Sequence, residues 1–230
     1  MPNSPKNPGS LVRRCGVRPP LTRERALSAA IAVADNETIG ALTMRRLAAI
    51  LDVEAMSLYH HFANKDEILD GMIDQVFGEI ELPSARAMWK SAMRRRSKSV
   101  RAVLTRHPWA IGLMESRSSP GPCTLRHHDA VLGCLRGAGF SVEMAGHAFS
   151  LLDSYIYGFM LQELNLPFGE GDDVAKMVDA MMPDHAATSY PHLLEFAVTR
   201  VMKPRYRYGD EFDFGLKVIL DALAVSAGLQ

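Results

Sequence analysis

Cysteine is scarce, and the three present, Cys15, Cys123 and Cys134, form an odd set without C-x-x-C spacing. Neither a disulfide framework nor a zinc knuckle is indicated by such a set. No stretch approaches the roughly 18 to 20 consecutive apolar residues needed to cross a bilayer. Met1 to Pro20 has no apolar centre of the secretory kind, so a cytoplasmic protein without a membrane partner is expected. Net charge is missing as well, with 26 Lys and Arg against 26 Asp and Glu, which argues against a protein that coats nucleic acid. There is no G-x-S-x-G, H-E-x-x-H, P-loop or dinucleotide-binding glycine pattern. Any catalysis would need unrecognised residues, and a non-enzyme is expected. No segment alternates with period two, so no strand is expected.

What is present is helical periodicity along a chain of 230 residues, 47% of them hydrophobic, enough for one or two cores. Charge is unevenly spread: residues 1 to 65 hold nine Lys or Arg and five Asp or Glu, leaving 17 against 21 behind them. A basic front and an acidic rear fit a phosphate-facing part and a part that avoids phosphate. Residues 1 to 20, rich in Pro, Ser and Asn with Arg13, Arg14 and Arg18, read as a disordered arm. From Leu21 a first helix is expected, capped by Thr22, with Leu27, Ala30, Ile31 and Ala34 inward, closing near Gly40. Thr43 caps a second helix with Met44, Leu47, Ala48 and Leu51 on one stripe. Asp52 and Val53 make a tight break before a short third helix that runs to His61. Asn64 caps a fourth, apolar from Ile68 to Ile80 and halted by Pro83. Breaks at Pro and Gly then delimit helices at about 84–106, 109–116, 123–136, 142–165, 172–181, 190–202 and 210–227. The domains expected are an arm at 1–20, a small helical domain at 21–66 and a second helical domain at 67–230.

Residues 43–61, TMRRLAAILDVEAMSLYHH, have the form of a helix-turn-helix. Ala48 and Ala49 let two helices cross closely, and Val53 and Leu58 pin the second against the core. The opposite face then carries Ala55, Met56, Ser57, Tyr59, His60 and His61 outward. A major groove about 12 Å wide admits one such helix, while flanking elements meet phosphate. Thr43 and Arg45 at the start of the second helix, and Lys65 at the start of the fourth, stand where phosphate or guanine contacts are made.

The segment from Leu42 to Met72 resembles the DNA-binding domain of the TetR family of repressors. It carries an L-T-x-R-x-L-A stretch at Leu42–Ala48, a V-x-x-x-x-L-Y turn and helix at Val53–Tyr59, and the Phe62, Asn64, Lys65 helix start. More loosely, L-x-x-x-G-F-S ending at Ser141 and F-x-x-G-L-x-x-x-L-x-x-L over Phe212–Leu223 are similar to the C-terminal core of the tetracycline-repressor branch. The resemblance implies an all-α protein with an N-terminal three-helix helix-turn-helix domain and a C-terminal helical ligand-binding and dimerisation domain. It implies base contacts from Arg45, Ala55, Met56 and Tyr59 and phosphate contacts from Ser57, His60 and Lys65. Ala55 stands where those repressors carry glutamine and Met56 where they carry proline, so a different operator sequence is expected.

One helix-turn-helix makes few contacts, so a homodimer reading two half-sites of a double-stranded operator is expected. The implied seam pairs helix 142–165, through Phe149, Leu152, Ile156 and Met160, with helix 210–227, through Leu216, Ile219, Leu220 and Leu223. The family also implies an effector pocket, and Trp89, Trp109, Leu113, His128, Tyr155 and Phe159 are the candidate lining for an unknown small molecule. Leu113 stands where the tetracycline repressors have a magnesium-holding histidine. His107, His127 and His128 have no carboxylate at ligand spacing in sequence, so neither a metal site nor another cofactor is expected. An enzyme working through unrecognised residues and a purely structural helical adaptor are the alternatives, and activation in place of repression is a variant.

Overall fold

The computed structural model describes residues 20–84, 87–167, 174–181, 186–203 and 206–229. The expected arm, with Arg13, Arg14 and Arg18, lies outside the described residues apart from Pro20. Among the described residues there are helices and turns and no strand.

Local chemistry sets the first three helices. In α1 (Arg23–Asn36) the Thr22 hydroxyl accepts the Arg25 N–H at 3.2 Å, and Ala26, Leu27, Ala30, Val33 and Ala34 turn inward. In α2 (Met44–Leu51) the Thr43 hydroxyl accepts the Arg46 N–H at 3.1 Å, and Leu47, Ala48 and Leu51 are buried. α2 stops because Asp52 turns left-handed at φ 55° and ψ 50°. Its N–H then reaches the Ala49 carbonyl at 3.2 Å and the Val53 N–H reaches that of Ala48 at 3.0 Å, closing orphan carbonyls in a Schellman turn. The turn redirects the chain into α3 (Ala55–Tyr59), which buries Leu58 completely. Of the two alanines expected to ease the crossing, Ala48 is buried and Ala49 faces out.

The long lever is α4 (Lys65–Gly78), capped by the Asn64 side chain on the Glu67 N–H at 3.0 Å. Its first half, through Ile68, Leu69 and Met72, completes the N-terminal core. Its second half, through Ile73, Val76 and Phe77, enters the C-terminal core. α4 therefore serves both cores, and the expected division at residue 66 falls at the start of a shared helix.

The second core is built by α5 (Trp89–Arg106), α6 (Pro122–Gly137), α7 (Val142–Leu164) and α11 (Glu211–Ser226) packed around the end of α4. Smaller helices, α8 (Val174–Met181), α9 (Ala186–Ser189) and α10 (Pro191–Phe196), lie between α7 and α11 in sequence. α10 runs on into a π-helical turn at Ala197–Val201. The helix expected over 109–116 is instead a 3₁₀ turn at Pro108–Ala110 followed by turns. Trp109 and Leu113 there pack against both cores, and Gly112 interrupts a segment already too short to hold a helix on its own.

Polar ties join the following segments to α1 and α4. Trp109 donates its indole N–H to Asp35 at 2.7 Å, and His107 Nδ1 meets the same carboxylate at 2.8 Å. Arg117 donates to Asp70 at 2.6 Å and Asp66 at 3.0 Å on α4. Asp74 of α4 accepts the Thr124 N–H at 2.8 Å and its hydroxyl at 3.0 Å, capping α6 across the helix pair.

Candidate nucleic-acid interface and effector site

Leu58 and Phe62 anchor α3 from beneath, and the opposite face is open. Met56 is 68% exposed and Tyr59 47% exposed, with His60 and Glu54 also outward. Ala55, Ser57 and His61 are half-buried at the edges of the same face. Thr43 is exposed; its oxygen caps α2 while its O–H stays available as a donor. Two cations flank the helix. Arg45 is exposed, and Lys65 occupies the first position of α4, where its charge opposes the helix dipole. Among the described residues neither makes an ion pair, whereas the neighbouring Arg46 pairs with Glu37 and Arg23 with Glu67 at 2.6 Å. Arg23 also lies 4.5 Å over the Phe62 ring and donates to the His61 carbonyl at 2.8 Å, which fixes the end of α3 against α1. Of the nine residues expected at a DNA surface, Thr43, Arg45, Met56, Tyr59 and His60 are exposed and Ala55, Ser57, His61 and Lys65 are half-buried.

Of the expected effector residues, Tyr155 and Phe159 are in ring contact, with centroids 6.0 Å apart. Trp89 packs edge-on against Phe140 with centroids 4.9 Å apart. Trp109 and Leu113 sit at the junction of the two cores. Tyr155 donates its hydroxyl to the Phe212 carbonyl at 3.0 Å, and Phe159 stacks on Tyr208 at 4.9 Å. His128 lies between Phe77 at 5.5 Å and Phe149 at 5.3 Å. An open cleft of about 540 Å³ lies beside the start of α4, but its lining of Asp66, Glu67, Asp70, Arg117 and Ser118 is polar and largely self-paired.

Sequence reasoning missed a buried polar cluster beside His128. Arg96 of α5, His127 of α6 and Asp153 of α7 are all buried, with Arg96 donating to Asp153 and, at 3.1 Å, to His127 Nε2. The signal was available: Arg96 falls in phase with Met93 and Val100, His127 with Val131 and Cys134, and Asp153 with Ile156 and Met160. A charge on an apolar stripe needs a buried partner. His107 is a second correction, since distant carboxylates do reach it: Asp35 on Nδ1 and Glu79 on Nε2 at 3.3 Å. Burial works against the Glu79 charge, but hydrogen bonds from Arg106 and His107 hold its carboxyl below the ordinary value. No group of three His, Cys, Asp or Glu suited to a metal ion occurs among the described residues.

The residues expected at a subunit seam mostly point inward. Leu152, Ile156, Met160, Leu216, Leu220 and Leu223 face the core of their own chain, with Phe149 and Ile219 half-buried against it. They are consumed by α5–α7–α11 packing. The outward stripe is Leu151, Ser154, Gly158 and Leu161 on α7 and Phe214, Val218 and Val225 on α11, with Phe214 69% and Val225 81% exposed.

With this geometry in view, comparison with known proteins is decisive for the family. Residues 26–72 match the model of bacterial regulatory proteins of the tetR family, and residues 82–226 match the tetracyclin repressor-like C-terminal domain. The chain is 32% identical over 91% of its length to an HTH-type transcriptional repressor, DrrR1, of Streptomyces coeruleorubidus, covering 80% of that protein. It is 26% identical over 87% of its length to the class E tetracycline repressor of Escherichia coli, covering 89% of that repressor. Its fold is similar to that of the Streptomyces coelicolor TetR family protein ActR in complex with actinorhodin, at a TM-score of 0.77 and 28% identity, covering 91% of this chain and all of that one. The open recognition helix, the lever helix shared by two cores and these matches together place the chain in the TetR family of helix-turn-helix transcriptional repressors.

Proposed function

We propose that the protein is a homodimeric repressor that holds a palindromic DNA operator with α2 and α3 and lets go when a small molecule binds among α4 to α7. The observation that carries this reading is the exposed Met56–Tyr59–His60 face standing between two unpaired cations, Arg45 and Lys65. A helix presented in this way suits the wide groove, with the cations meeting phosphate on either side. The repressor name of the Streptomyces relative and the ligand complex of the ActR neighbour support the same class of behaviour. Repression at a cytoplasmic target needs no catalysis, membrane anchor or metal cofactor.

A second copy of the chain is the partner proposed for the outer face of α7 and α11. Large apolar side chains there, Leu151, Leu161, Phe214 and Val225, alternate with the small Ser154 and Gly158, which lets a partner helix come close. The lever is α4. Asp74 and Arg117 tie it to α6 and the preceding loop, so a shift of α6 carries the whole DNA-binding unit with it. The effector acts only through its different affinity for the two states, and it must weaken DNA binding by the factor by which DNA weakens effector binding.

Retardation of DNA flanking the gene for this protein tests the reading. A salt-sensitive shift at an inverted repeat is expected. No shift at any repeat there would favour the structural adaptor instead.

A further inference from the structure

The turn that joins α3 to α4 carries an inference about how the DNA face is held, and it rests on the repressor reading above. α3 has five residues, too few to keep a helical course alone, and its N-cap, Glu54, makes no side-chain capping bond. Its direction is therefore set from outside: by the Asp52 turn before it, by Leu58 and Phe62 beneath it, and by whatever holds His61 to Asn64 after it.

Two charged side chains hold that last turn. Arg23, the first residue of α1, lies 4.5 Å over the Phe62 ring. Its Nη1 donates to the His61 carbonyl at 2.8 Å and to Glu67 Oε1 at 2.6 Å. Glu67 uses its other oxygen, Oε2, to accept the Ala63 N–H at 2.7 Å. Asn64 Oδ1 in turn accepts the Glu67 N–H at 3.0 Å, so the side chain and the backbone of Glu67 are both engaged in the turn. The bond from Ala63, with that from Arg23 next, holds the Glu67 carboxyl below its ordinary value, so both oxygens accept as a carboxylate. One chain of bonds thus runs from α1 through the turn to α4, with Tyr59 and His60 before it and Lys65 within it.

Glu67 is an odd choice on grounds of charge. It sits two residues from Lys65, beside the surface that meets phosphate, where a carboxylate by itself opposes binding. The helix dipole favours an acid in this first turn, but Asp66 beside it already supplies that charge. The ion pair is also open to solvent, 41% for Arg23 and 37% for Glu67, so it adds little to the stability of the fold.

We propose that Arg23 and Glu67 are positioning residues for operator binding: their shared hydrogen bonds fix α3 against the start of α4, so the DNA contacts are ordered before DNA arrives. A turn released from this clamp has to be ordered on the DNA instead, and the entropy of fixing about one residue corresponds to about tenfold in affinity.

The test uses Glu67→Gln, Arg23→Met and the double variant in the full-length chain. Each is titrated, at several salt concentrations, into a fluorescent DNA fragment carrying the inverted repeat that flanks the gene and into a scrambled fragment. Glutamine matches glutamate in shape, but one end of its amide donates, so it cannot accept from Ala63 and Arg23 together. Methionine keeps an apolar stem over Phe62 and donates nothing. Charge alone predicts opposite signs: tighter binding in Glu67→Gln, and weaker binding with a flatter salt slope in Arg23→Met. Positioning predicts one sign. Each single variant should bind the repeat about tenfold more weakly and select less against the scrambled fragment, with the logarithmic salt slope of the wild type. The double variant should bind no more weakly than either single one, because both bonds belong to one clamp. Circular dichroism in the same buffer gives the folded fraction, so affinity is read per folded molecule. Wild-type or tighter binding in Glu67→Gln, opposite signs in the two single variants, or a lowered thermal midpoint with affinity per folded molecule unchanged would overturn the proposal. In each of these cases binding of the repeat by the wild type leaves the repressor reading standing. A wild type that does not bind the repeat removes that reading and this inference with it.

Discussion

Lowering the pH from 7 to 5 should destabilise the protein through His127, and the amount follows from its surroundings. The ring is fully buried between Arg96 and Phe77, with His128 beside it and Asp153 across Arg96. Its pKa falls from the ordinary 6.5 to about 3, first through burial and then through the positive charge of Arg96. In the unfolded chain His127 takes up a proton near its ordinary pKa, and in the folded chain it does not. The unfolded state therefore binds more protons below that point, and stability is lost as pH falls through it. Above about pH 6.5 the contribution is complete; below, it declines by ~1.4 kcal/mol per pH unit until the folded pKa is reached. At pH 5 the loss is about 2 kcal/mol. Urea unfolding of wild type and His127→Gln, at pH 7 and 5 and one protein concentration, isolates this share from the other titrating groups. Glutamine retains an acceptor for Arg96 and does not titrate. Wild type should lose ~2 kcal/mol more than the variant between the two pH values. Equal losses, or a His127 ring that titrates near 6.5 by NMR in the folded protein, would refute the reasoning.

Three further perturbations follow from the packing. Leu58→Ala removes the fully buried anchor of α3, so a loss of about 2–5 kcal/mol in urea unfolding is expected, with operator binding impaired through a loosened recognition helix. Phe214→Glu places a charge on the outer face of α11; light scattering should report monomers that keep their helical circular dichroism, and a dimer unchanged in mass would contradict the proposed seam. Gly215→Ala would set a methyl 2.4 Å from the Tyr155 hydroxyl oxygen, which must leave the Phe212 carbonyl, and a loss of about 1–3 kcal/mol in thermal or urea unfolding is expected.

The parts legible in the sequence are those fixed by neighbours along the chain. Thr22, Thr43 and Asn64 cap the helices they announce, and the break at Asp52 is a left-handed residue closing α2. The exposed face of α3 was legible because its five residues have one inward anchor, Leu58, and the rest lie outward of it. Which stripe of α7 and α11 faces inward was not, because both helices carry apolar residues on two faces: Leu151 beside Leu152, and Val218 beside Ile219. Periodicity marks a stripe; which of two stripes meets the chain's own core is decided by the other helices. The polar cluster was hidden for a similar reason, since Arg96 meets partners 31 and 57 residues away. The turn at 108–116 was misread as a helix because its apolar spacing serves two cores at once.

Whether the outward face of α3 reads DNA is tested most directly by fluorescence anisotropy of a labelled operator fragment against salt, with Tyr59→Ala and Lys65→Ala. Tyr59→Ala should lose ~1–3 kcal/mol of specific affinity and discriminate less between operator and scrambled DNA. Lys65→Ala should weaken binding to both sequences alike and flatten the logarithmic salt slope by about one. Parental affinity, selectivity and slope in both variants would contradict it.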